Sequence, residues 1–278
     1  MTNSKFLLVQ GRALEQIGQS LQYFPNNWKD EFPIMKELGF FGIEWIYDKI
    51  SESSNPILSE SGRNEMKTLS SKYDIHLENI VFDWFLHHPL FINNEYTINQ
   101  KIEKLFYLIQ QSTSSGFKKI ILPLLEKNSI RESAIKNQFI EILHSSSIFD
   151  NDIEIHLETD LPPAQELKLI QSLNNKKIKI CFDMGNSASY GYDPDIVINT
   201  LRENIGSVHI KDRQFNGPSV PLGTGNVSFQ DVFKNLKKIN FNGNYSLQIY
   251  RNSSSDNKKL LEKSLTFITN LINSDNYD

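Results

Sequence analysis

Three residues at the ends of short apolar runs carry side chains suited to holding a divalent cation: Glu158 in H-L-E-T-D, Asp183 in C-F-D-M-G-N and His209 in S-V-H-I-K-D. Two carboxylates and an imidazole form a donor set for Mn²⁺, Mg²⁺, Zn²⁺ or Co²⁺. Gln248 in S-L-Q-I-Y-R could add an amide oxygen. Each residue alone is as well explained by a salt bridge, and only the set points to a site.

Other reactive types crowd the same run ends. In chain order these ends hold Arg12, Glu44 with Trp45, Asp83 with His87, Pro123 with Glu126, Glu158 with Asp160, Asp183 with Asn186, His209 with Lys211, and Gln248 with Arg251. Lys211 reads either as a second acid/base group that steadies an enediolate or as a solvated lysine paired with Asp212. Arg213 and Arg251, with Arg12 and Lys127, could grip a phosphate or carboxylate, or make structural ion pairs. Asn186 could hydrogen-bond a substrate hydroxyl. Trp45 and the aromatics of the early loops suit a sugar-stacking wall, core packing or a homo-oligomer interface. His87 could line the substrate pocket. The G-T-G loop at 223–225 reads as an anion cradle of backbone amides or as a plain turn.

For these residues to meet, the chain must bring eight run ends to one place. Strands are expected near 6–10, 42–46, 76–82, 119–122, 153–158, 178–182, 207–210 and 245–249. Helical spacing of apolar residues falls at about 27–38, 61–73, 97–116, 130–143, 162–173, 193–202, 229–239 and 257–272. Gly39 and Gly116 suit helix C-termini. Eight β/α alternations match a single (β/α)₈ TIM barrel over residues 1–278, with 273–278 as a frayed tail. In such a barrel all strand carboxyl ends open into one bowl. The open dinucleotide-binding sheet fits less well, because Q-G-R-A-L-E lacks the G-x-G-x-x-G turn.

Composition limits the partners. A net charge of −4 argues against nucleic acid or an anionic membrane surface as a general partner. No stretch approaches the roughly 20 apolar residues that span a bilayer. The single cysteine, Cys181, excludes an internal disulfide framework, and the first residues show only a short apolar run; both suit a soluble cytoplasmic protein.

The pieces G-F-F-G-I-E-W at 39–45, H-L-E-T-D, C-F-D-M-G-N, S-V-H-I-K-D and P-L-G-T-G-N-V-S-F at 221–229 resemble, in order, the xylose isomerase-like barrel family of sugar and sugar-phosphate isomerases and epimerases. The resemblance implies a divalent metal held by Glu158, Asp183, His209 and a strand-eight acid, with Glu158 as both ligand and base. Two departures stand out. Gln248 occupies the position where many relatives carry glutamate, and an amide cannot serve as an ordinary base. Asn186 stands where related enzymes often place a substrate-contacting histidine.

The reading that follows is a metal-dependent isomerase or epimerase of a sugar or sugar phosphate, acting by proton abstraction and an enediolate. One alternative is a metal-assisted lyase or dehydratase on a keto-sugar or polyol, for which a single proton-transferring carboxylate suffices. Another is a catalytically inactive sugar-binding barrel. The DNA-repair branch of the family fits poorly, since six histidines in an acidic chain offer neither a histidine-rich metal cluster nor a basic groove.

Overall fold

Runs such as K-I-I-L-P-L and I-G-S-V-H-I are buried along almost their whole length, as strands are when helices cover one face and a packed lumen the other. In the computed structural model, which describes residues 5–14, 23–145, 152–250 and 256–273, these runs are β1 (Phe6–Val9), β2 (Gly42–Ile46), β3 (His76–Val81), β4 (Lys119–Leu124), β5 (Glu154–Thr159), β6 (Ile178–Asp183) and β7 (Ile205–Ile210). A small antiparallel hairpin, β8 (Asp212–Arg213) and β9 (Ser219–Val220), precedes the last barrel strand, β10 (Asn244–Leu247). Parallel pairing runs from β1 through β7 to β10, and β10 closes onto β1. The fold is the expected (β/α)₈ barrel.

The chain returns between strands through helices: α1 (Glu31–Leu38), α2 (Glu60–Tyr73), α3 (Trp84–His87), α4 (Ile98–Ser115), α5 (Ser133–His144), α6 (Pro163–Leu173), α7 (Met184–Ser189), α8 (Pro194–Leu201), α9 (Phe229–Lys238) and α10 (Asn257–Asn273). Gly39 and Gly116 end α1 and α4 at φ 77° and 94°, the left-handed geometry expected of them. Thr97 and Gln100 close a capping box at the start of α4. The short helix α3 follows β3 after two intervening residues, and α7 follows β6 directly; at four and six residues they have no room for an apolar stripe and leave no periodicity in the sequence. Asn273 ends α10, and the rest of the expected tail lies outside the described residues.

Alternation along the strands separates two cores. Ile43, Trp45, Ile120, Leu122, Phe182 and Val208 join the large cluster beneath the helices, whereas Val9, Ile46, Val81, Ile121 and Cys181 form a second cluster in the lumen. The register shifts between Ile43 and Glu44 and again between Ile180 and Cys181. After these shifts Glu44 stands beside Asn79 and Asp183 beside His209, so two irregularities set the level of the polar residues above the luminal plug.

Candidate functional site

Glu158 lies near the carboxyl end of β5, Asp183 is the last residue of β6, and His209 faces inward from β7. Parallel pairing puts Asp183 level with His209, and His209 level with Ser246 of β10. Candidate ligand atoms of Glu158, Asp183 and His209 all lie within 4.8 Å of one another, and all three residues are buried. His209 Nδ1 is 3.9 Å from both Glu158 Oε2 and Asp183 Oδ2. Ligand atoms sharing an ion at bonds of about 2.0–2.2 Å stand about 3–4 Å apart, so the trio fits a divalent cation with little adjustment. The donor chemistry agrees: His209 Nδ1 is buried without a hydrogen-bond partner among the described residues and points at two carboxylates.

Further contacts hold the two carboxylates of the trio in place. Asp183 caps α7 by accepting the Asn186 backbone N–H at Oδ1 (2.8 Å), while Oδ2 faces Lys211 Nζ at 3.2 Å. Asn186 Nδ2 donates to Glu158 Oε1 at 2.7 Å. Asn186 Oδ1 accepts from Lys211 Nζ (3.2 Å) and Arg213 Nη1 (2.8 Å). One amide therefore holds a carboxylate on one side and is held by two cations on the other. Asn186, Lys211 and Arg213 lie beside the trio, and Arg213 also gives Nε and Nη2 to the Gly217 carbonyl and works as a brace between α7 and the β8–β9 hairpin.

The charges are unequal. Burial pushes the Glu158 carboxyl up to about 7, against the pull of His209. Burial acts on Asp183 too, but Lys211 and then His209 outweigh it and hold its carboxyl below the usual range. His209 titrates well above an ordinary imidazole despite the opposing effect of burial, with Cys181 and Glu44 as the neighbours that raise it. Since burial drives the Cys181 thiol up to about 11, the charge that retains the His209 proton near neutrality is that of Glu44.

Several sequence expectations are corrected. Trp45 does not face the bowl: it is fully buried beneath the helices, against Phe24 at 5.5 Å and Trp28 at 5.2 Å, with Nε1 donating to Asn55 Oδ1 at 3.0 Å. Strict alternation in G-I-E-W-I turns Trp45 out because it turns Glu44 in. Lys211 pairs with Asp183 rather than Asp212, because consecutive residues leave the strand on opposite sides. Asp212 instead accepts the backbone N–H groups of Gly223 and Gly225 at 2.9 Å and of Val227 at 3.2 Å. The amides of the G-T-G loop are thus filled by the protein's own carboxylate and do not form an open anion cradle. His87 is exposed on α3; the buried imidazole of that pair is His88, which packs on the Trp84 ring at 4.2 Å.

Gln248 follows β10 on the inward series Asn244, Ser246, Gln248, and its N–H donates to the Ile210 carbonyl at 3.0 Å, which brings it to the level of the bowl. Arg251 lies outside the described residues.

The family model described as xylose isomerase-like TIM barrel matches residues 32–271. The chain belongs to the xylose isomerase-like TIM barrel family. It is 22% identical over 213 residues to the uncharacterized protein MJ1311 of Methanocaldococcus jannaschii, covering 69% of this chain and 70% of that one. Among solved structures it resembles the IOLI protein with a binding zinc atom (TM-score 0.75, 16% identity, 96% of this chain and 98% of the other). It also resembles L-ribulose 3-epimerase (TM-score 0.74, 16% identity, 97% and 94%). At these identities the structural likeness is one of fold.

Two carboxylates of this xylose isomerase-like barrel were present among the strand ends but were not singled out by residue type. Asp83, just after β3, is pushed up to about 7 by burial and by Asp48 and Glu44, against the charges of His209 and Lys211. Glu44 is wholly buried and sits 2.9 Å from His209 Nε2. Period-two counting along G-I-E-W-I would have found Glu44. Asp83 carries no comparable signal, because α3 begins at the next residue.

Proposed function

We propose that this chain is a divalent-metal-dependent epimerase or isomerase of a sugar or sugar phosphate, working by proton abstraction next to a carbonyl and an enediolate. The observation that carries the reading is the convergence of Glu158, Asp183 and His209 at the carboxyl end of the barrel, where Glu158 is poised at about 7. A carboxylate with a pKa near the working pH can both take and return a proton. Likeness in fold to an L-ribulose epimerase and to a zinc-bound barrel agrees with this class of chemistry.

Glu158, Asp183, His209 and Gln248 are the residues that would hold the cation. Bound there, it would polarise adjacent substrate oxygens and acidify the neighbouring C–H. The chain's own residues do the remaining work. Glu158 takes the proton, with Asn186 fixing the orientation of its carboxylate. Lys211, beside Asp183 and Asn186, lends positive charge to the enediolate and is the candidate second proton carrier. With an amide at position 248, the opposite face of the substrate lacks the second glutamate of a paired-carboxylate mechanism.

The test is solvent deuterium incorporation at a substrate carbon, followed by NMR over a panel of ketoses and their phosphates with Mn²⁺, Mg²⁺, Co²⁺ and Zn²⁺ in turn. Wild-type protein should exchange one carbon-bound hydrogen. Glu158→Gln should lose that exchange by at least about 100-fold, the usual contribution of a positioned base. Exchange that persists in Glu158→Gln removes Glu158 from the role.

A further inference from the structure

The lumen beneath the candidate metal site holds a second polar assembly. Glu44 of β2 is fully buried. Its Oε2 accepts from Ser246 Oγ of β10 at 2.6 Å and from Asn79 Nδ2 of β3 at 3.0 Å. Its Oε1 lies 2.9 Å from His209 Nε2. Two strands thus supply hydrogen-bond donors, and a third an imidazole in ion-pair contact, to one carboxylate that has no contact with solvent. An ionised carboxylate is buried only when it is compensated in this way, and here the compensation fixes where the carboxylate can point.

The geometry points to Glu44 as a positioning residue for His209. With Nε2 engaged by Glu44, the other ring nitrogen, Nδ1, is the one that faces Glu158 Oε2 and Asp183 Oδ2, each at 3.9 Å. A ring flip would remove the Glu44 partner and turn a carbon toward the carboxylates, and Glu44 denies the ring that alternative. Ser246 and Asn79 keep Glu44 itself from rotating. The register shift just before Glu44 sets it level with Asn79, and β10 places Ser246 beside His209, so the assembly is built by barrel closure. Partners that orient a ligating histidine through its second nitrogen typically change metal affinity by about 10–100-fold.

Because the role of Glu44 rests on the reading of Glu158, Asp183 and His209 as a metal site, the test has two arms. In the metal-free protein, ¹⁵N NMR at a pH above the His209 titration should show a single tautomer with the proton on Nε2. A wild-type His209 that carries it on Nδ1, or that averages both forms, overturns the proposal whether or not the protein binds metal. In the second arm, Mn²⁺ and Zn²⁺ affinities are measured by titration calorimetry for the wild type, Glu44→Ala and Glu44→Gln. Glu44→Ala should weaken binding about 10–100-fold and lose the single tautomer. Glu44→Gln keeps an acceptor oxygen for Nε2 and should recover most of both. Wild-type affinity in folded Glu44→Ala, or a Gln variant as defective as the Ala variant, overturns the role assigned to Glu44. Absence of metal binding by the wild type would instead refute the metal reading, leaving the tautomer to judge Glu44.

Discussion

Two buried histidines face the lumen of the same barrel at opposite ends, and they differ in what surrounds them. His209, at the carboxyl end, has Glu44 on Nε2, two carboxylates beyond Nδ1, and a raised pKa. His156, on β5 two residues before Glu158, has both nitrogens engaged: Nδ1 with Ser207 Oγ at 2.8 Å and Nε2 with Glu154 Oε2 at 3.0 Å. Burial, opposed by Glu154, holds His156 below an ordinary imidazole, so it is the neutral ring of the two. Residue type and burial are equal. What differs is the count of nearby negative charges and whether a nitrogen is left over, and these separate a candidate ligand from a structural plug.

The largest test of that contrast is the pair His209→Gln and His156→Gln. Loss of a direct ligand should weaken Mn²⁺ or Zn²⁺ binding by more than about 100-fold, beyond the range expected of an orienting partner. His156→Gln should bind metal as the wild type does but lose about 1–3 kcal/mol of stability, since it disturbs the hydrogen bond of the buried Ser207 hydroxyl. Equal effects on metal affinity from the two variants, measured by calorimetry, would erase the distinction.

The two rings should also pull stability in opposite directions with pH. Below about 6.5 the unfolded chain protonates His156 while the folded chain resists, so this residue withdraws stability as the pH falls. His209 is raised, so its contribution is complete below about 6.5 and is lost as the pH rises through its folded value. Melting midpoints of metal-free protein from about pH 5 to 9 should therefore lose less on the acid side in His156→Gln and less on the alkaline side in His209→Gln. Parallel profiles for the two variants would contradict the assignment of charge.

A smaller effect is expected at Gly206, where an added Cβ would lie 2.5 Å from His156 Cε1 and 2.7 Å from Lys179 Cβ. Gly206→Ala should cost about 1–3 kcal/mol by overpacking and leave metal affinity unchanged, as read by thermal melting and calorimetry. A change in metal affinity would show that the two ends of the lumen are coupled.

Much of this arrangement was legible in the chain. Apolar runs of strand length, each followed by an ionisable residue, gave the eight strands and placed Glu158, Asp183 and His209 at one end of a barrel. Errors arose where two neighbours competed for one role. Residue type alone does not say whether Glu44 or Trp45 faces the bowl, or whether Lys211 meets Asp212; the two-residue period that sends neighbours to opposite faces does. The G-T-G loop looked available to an anion because Asp212, more than ten residues earlier, gives no local sign that it fills those amides.

The amino-acid sequence by itself determined the barrel, its strand order and the chemical types at the strand ends, since apolar periodicity and chain length allow few other packings. Only the tertiary structure decided which atoms meet. Glu44 and His209, like Asn79 and Ser246, are 165 and 167 positions apart, and they become neighbours only when strand twist and register close the sheet on itself. Closure leaves His209 Nδ1 facing two carboxylates and His156 with both nitrogens satisfied, a difference that no local pattern around either histidine records.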